Sequence, residues 1–205
     1  MTDNNHATLK WINIGIFCGF LVSVIYPSLQ FVSNLLFGVI LAASMGILLS
    51  LASLGLNYFI QIHKKSITSK IALFSNIIAG AILTQMFLVQ LAIKSSKPEF
   101  LDESVKWIWI TINHIHYGLD VAWDVYIFSG TILFAISIFE HPKLGKIYSV
   151  TGILISFLMI ITNVISFPIP PSRDLIDFGP FIGLWYLGIT IKITISRKWI
   201  HQQIR

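Results

Sequence analysis

Six long apolar stretches separated by short polar breaks make up the pattern of this chain, over about residues 9–27, 35–62, 71–93, 117–139, 147–167 and 178–196. A helix needs about 20 apolar residues to cross a hydrocarbon layer of ~30 Å, whereas a buried strand runs to only about 4–8. Blocks of this length predict membrane-spanning helices. The second block is ~42 Å long by helical rise, so it must tilt or project beyond the bilayer. Its Gly38, Ala42, Ala43, Gly46, Ser50 and Ser53 suit close helix packing.

The breaks carry their own signals. Pro27 closes the first run, and His63-Lys64-Lys65 closes the second, with Lys70 ahead of the third. The link from Lys94 to Lys106 is mixed in charge, and Trp107-Ile108-Trp109-Ile110 reads as an interfacial segment at headgroup depth. In Glu140-His141-Pro142-Lys143-Leu144-Gly145-Lys146, proline stops a helix and glycine permits the turn. Pro168-Ile169-Pro170-Pro171 is a stiff, extended link. Asp177 precedes Phe178-Gly179-Pro180 and can cap the sixth helix, with proline in its first turn. No repeat or second domain interrupts the pattern. The expected fold is all-α: one transmembrane domain over residues 1–205, a bundle of six helices.

Composition sharpens this. The chain is 55% hydrophobic and only 11% charged, against about 25% charged in soluble domains. Its net charge of +5 could suggest nucleic acid, but the basic residues lie in short clusters between apolar runs. Such placement orients a membrane protein. Nine basic residues (Lys10, Lys64, Lys65, Lys70, Lys143, Lys146, Arg197, Lys198, Arg205) fall on one side, and four (Lys94, Lys97, Lys106, Arg173) on the other. The positive-inside rule then places both termini in the cytoplasm, as in a multi-pass protein of the bacterial cytoplasmic (inner) membrane. No small-x-small cleavage site follows Ile25-Tyr26-Pro27, so the first run reads as a retained span. Cys18 is the only cysteine, which excludes an intramolecular disulfide and a cysteine metal cluster. His63, His141 and His201 lie in basic ends and are expected to be solvated or near headgroups. Trp11, Tyr58, Tyr148 and Trp199 fit an inner aromatic belt.

The candidate chemistry lies in His116-Tyr117-Gly118-Leu119-Asp120-Val121-Ala122-Trp123-Asp124. Positions i, i+4 and i+8 form one stripe on a helix, so His116, Asp120 and Asp124 share a face. With the hydrocarbon beginning near Tyr117, Asp120 lies ~5 Å deep and Asp124 ~10 Å deep. Carboxylates there need partners, water or protons. A lining can be drawn from Gln85, Gln90, Asn163, Trp185 and Tyr186 on other helices and from Arg173 on the outer link. The functional expectation is an outward-opening pocket of His116, Asp120, Asp124, Asn163, Arg173, Trp185 and Tyr186. The bland alternative is a structural polar network of the same side chains.

His-x-x-x-Asp-x-x-x-Asp spans ~12 Å, too long for all three to reach one ion, so no metal is expected. No nucleophile motif, phosphate-cradling loop or cofactor signature appears, and no cofactor is expected. The leading function is a polytopic membrane protein whose pocket binds or transports a small ligand or protons. A membrane-embedded enzyme using Asp120 and Asp124 on a lipid-like substrate is the alternative. A structural subunit of a membrane complex is the third. The expected partners are the lipid bilayer, a small ligand or protons, and a second copy or another membrane protein, with no nucleic acid.

Overall fold

The computed structural model describes residues 3–96, 106–167 and 176–204, so Arg173 and the rest of the proline link lie outside the described residues. The described chain is helical: α1 (Asp3–Ser28), a 3₁₀ turn (Leu29–Phe31), α2 (Leu35–His63), α3 (Ile67–Ser96), α4 (Lys106–Ile138), α5 (Gly145–Ser166), α6 (Gly179–Ile195) and α7 (Arg197–Ile204). Five of these are long and apolar enough to cross a membrane, or six if α6 and α7, which meet at 63°, form one span.

The helices outrun the apolar stretches where local capping favours it. Ser66 Oγ accepts the Ser69 N–H at 3.1 Å, so α3 starts before Lys70, which stays on an exposed face. Trp107–Ile110 is helical and continuous with the fourth apolar run, at the start of α4. Asn34 Oδ1 accepts the Phe37 N–H at 3.0 Å and caps α2. Gly145, at φ +68°, makes the turn into α5 that a side chain would strain.

Each of α1 to α6 packs on its neighbour in sequence, and α6 returns to α1, closing a ring. The upper end holds the C-termini of α1, α3 and α5. The lower end holds the opposite termini, and there Asn5 Nδ2 donates to the Ile204 carbonyl at 2.6 Å. Phe17, Ile47, Phe74, Ile136 and Leu154 point outward, whereas Ser53, Asn76, Asp124, Thr131 and Asn163 are buried. An apolar exterior around a polar interior is compatible with a multi-pass membrane protein.

Glycines set two of the closest approaches. A Cβ on Gly15 would lie 2.5 Å from the Gly55 Cα, and one on Gly46 would overlap the Gly80 carbonyl and Thr84 Oγ1. The obstacle is backbone in both cases, so it cannot swing aside. Gly46→Val should therefore cost about 1–3 kcal/mol, seen as a lower unfolding midpoint in detergent. Gly118→Ala, whose Cβ meets nothing within 4 Å, should be neutral or slightly stabilising in the same assay.

The lower end corrects one expectation. His141 is only 2% exposed, not solvated. Its ring lies 4.8 Å from Phe59, 5.2 Å from Trp199 and 5.3 Å from His63, centroid to centroid. The basic tail is also ordered as α7, which buries Ile200 and Ile204 beneath α1 and α2.

Candidate functional site

The buried face of α4 carries His116, Asp124 and Thr131, and Trp123, Ile127, Gly130, Phe134 and Ile138 follow one another along it at steps of three and four residues. That spacing keeps one stripe turned to α3 and α5. Asp120 is half-buried on the same stripe.

Asp124 is 1% exposed. Its Oδ2 accepts a short hydrogen bond from Asn163 Nδ2 on α5, which joins two of the residues expected to meet. Asp124 Oδ1, Asn163 Oδ1, Trp123 Nε1 and His116 Nε2 are buried with no hydrogen-bond partner among the described residues. Asp120 and Asp177 lie close enough to Asp124 to interact with its charge, and all three carboxylates interact with Tyr26 of α1. Asp177 also caps α6, accepting the Gly179 N–H at 2.8 Å. Among the described residues no Lys or Arg is ion-paired with any of these three. Nor do three His, Cys, Asp or Glu side chains converge for one ion among the described residues.

Tyr186 belongs to a second cluster at the centre of the ring. Asn76 Nδ2 of α3 donates to the Tyr186 hydroxyl at 2.6 Å and to Ser53 Oγ of α2 at 2.9 Å. Thr131 Oγ1 of α4 lies 3.2 Å from the same hydroxyl. This pairing fixes the depth of α6. Asp124 is seven residues above Thr131, and Gly179 is seven above Tyr186. The α6 N-terminus is thus level with Asp124, while α4 continues ~27 Å further by helical rise. An N-terminus at that depth turns its partial positive charge toward the carboxylates.

A chamber of about 440 Å³ lies alongside α6 from Gly179 to Leu187, between it and α1, α2, α3 and α4. Met45, Leu49, Leu83, Trp123, Ile127 and Tyr186 form its interior, and Tyr26 closes one side. The exposed lining residues, Pro27, Phe31, Pro180, Gly183 and Leu184, come from the end of α1, the 3₁₀ turn after it and α6. The mouth therefore opens sideways between α1 and α6.

Other expected members are placed elsewhere. Trp185 turns to α5, where its Nε1 donates to the Tyr148 carbonyl at 2.8 Å and its ring covers Gly152. His116 instead stays on the α4 face of Asp124, above Asp120, with its ring edge-on to Tyr117 at 5.3 Å between centroids. Gln85 is exposed on the outer face of α3. Asn76 and Tyr26 are the residues the sequence pattern left out. Asn76 is an amide inside the third apolar run, and a polar side chain at that depth is the available signal. No protein-family model, curated protein or solved structure matches this chain.

Proposed function

We propose that this chain is a six-span protein of a cytoplasmic membrane, termini inside, that binds a small amphipathic cation in the chamber in exchange for a proton on Asp120 and Asp124. The six-span placement is supported by the closed ring of alternating helices and by the Asn5–Ile204 contact between the two ends of the chain. The nine-to-four split of basic residues supports the orientation. The upper end is then the outer one.

The observation that carries the ligand class is a chamber lined by Tyr26, Trp123 and Tyr186, in which Tyr26 lies within electrostatic reach of Asp120, Asp124 and Asp177, acids with no ion-paired Lys or Arg among the described residues. Tyr26, Trp123 and Tyr186 offer ring faces to a cation, and the acids supply the opposite charge. A proton and an organic cation would compete for the same negative charge, which couples the two. The sideways mouth suits a molecule that arrives from the bilayer. That same mouth favours a second reading, a membrane-embedded enzyme acting on a lipid-like substrate. Lipid turnover in proteoliposomes, lost in Asp120→Asn, would replace the binding reading.

Tetraphenylphosphonium and tetraphenylborate, alike in size and opposite in charge, provide the test. Equilibrium dialysis of the purified protein should show binding of the cation in preference to the anion. Cation binding should weaken as pH falls and drop in both Asp120→Asn and Asp124→Asn. Equal binding of the two ions, or unchanged binding in both variants, would overturn the proposal.

A further inference from the structure

A separate pocket of about 590 Å³ lies at the lower end, between the α2–α3 turn, the last turn of α4 and the first turns of α5. Its rim carries His63, Lys64 and Lys65, all exposed. The N-terminus of α3, at Ile67, opens on the same rim and adds partial positive charge.

The depth of the pocket holds spare hydrogen-bonding capacity. Ser149 is 0% exposed and His141 2%, and Ser149 Oγ and His141 Nε2 have no hydrogen-bond partner among the described residues. His141 Nδ1 accepts the Lys143 and Leu144 N–H groups at 3.2 and 3.4 Å. In the neutral ring Nε2 therefore carries the hydrogen, on the side from which the Phe59 carbonyl acts on the ring. The buried, unpaired Ser149 hydroxyl beneath a cationic rim describes a seat for an anion. The flank is different: Ile67, Ile136 and Phe139 line the pocket and are exposed on the outward face. A phosphate from water would make no use of that flank, whereas a lipid would use rim, floor and flank together.

We propose that this pocket seats the phosphate headgroup of an anionic phospholipid of the cytoplasmic leaflet, with an acyl chain along Ile67, Ile136 and Phe139. The proposal rests on the membrane placement given above and not on the upper chamber. Glu140 is the opposing charge at the rim. It sits 3.8 Å from Lys64, with both side chains largely exposed, so the pair is weak and a phosphate can displace the carboxylate. Lys146, 5.6 Å from the Phe139 ring centre, keeps the rim positive on the side of α5.

Native mass spectrometry of the delipidated full chain, titrated with phosphatidylglycerol or phosphatidylcholine of identical acyl chains, provides the test. Phosphatidylglycerol should form a saturable one-to-one adduct, preferred by at least about tenfold. The double substitution Lys64→Gln with Lys65→Gln should abolish that preference, and Glu140→Gln should increase it. Inorganic phosphate at equal concentration should not displace the lipid. Equal retention of the two lipids, an unchanged preference in the double variant, or displacement by inorganic phosphate would overturn the proposal. Absence of the chain from the membrane fraction would instead sink the membrane placement itself.

Discussion

Asn163→Leu should destabilise the bundle by roughly 3–5 kcal/mol at a pH where Asp124 is ionised. The amide is the one hydrogen-bond partner of Asp124 among the described residues, and its loss would leave a carboxylate that is 1% exposed with none. Charge state decides the size of the effect. A neutral side-chain hydrogen bond inside a membrane protein contributes only ~0.6 kcal/mol on average and at most ~1.7. The loss should therefore shrink toward ~1 kcal/mol in acid, where Asp124 is protonated. Combining Asn163→Leu with Asp124→Leu should restore much of the stability, because neither polar partner then remains buried alone. Reversible unfolding in mixed micelles at two pH values, with the four members of the double-mutant cycle, measures the coupling directly.

Acidification should produce the second large effect, through His141 at the lower end. Burial, then the neighbouring His63 and, more weakly, Lys143, push this histidine down from its ordinary 6.5 to about 4, opposed in part by the Phe59 carbonyl. In the unfolded chain the same ring takes its proton near pH 6.5. Below that pH the unfolded state binds more protons, so its share of stability is complete above 6.5 and drains away as pH falls toward 4. The full loss is of order 3 kcal/mol. His141→Asn keeps an acceptor for the Lys143 and Leu144 N–H groups but cannot titrate. Its unfolding midpoint should fall less than that of the wild type between pH 7 and 4. Parallel pH profiles would show that another group carries the dependence.

What the sequence could express was length and depth. The apolar runs are long enough to cross a membrane, and Asp120, Asp124 and Asn163 lie near the same end because alternate runs reverse direction. Rotation was not legible. Trp185 and Tyr186 are neighbours in sequence, yet one turns to α5 and the other to the ring centre, since successive residues point about 100° apart. A soluble helix announces its inner face by polarity. Here Leu154 points outward and Met159 is buried, both apolar, so the amphipathic signal that would have separated them is weak. The depth of α6 was hidden for a related reason. It follows from the Thr131–Tyr186–Asn76 contact, which joins three runs and leaves no trace in the spacing of any one. His141 was misplaced because its basic neighbours suggested solvent, whereas Phe59 and Trp199 from distant parts of the chain enclose it.

Asp124 is proposed as a buried carboxyl that exchanges its proton when the chamber fills. Infrared difference spectroscopy in lipid nanodiscs, recorded on adding tetraphenylphosphonium, observes that carboxyl directly. The wild type should show a change in the protonated carboxyl stretch that disappears in Asp124→Asn. Superimposable difference spectra from the two proteins would contradict it.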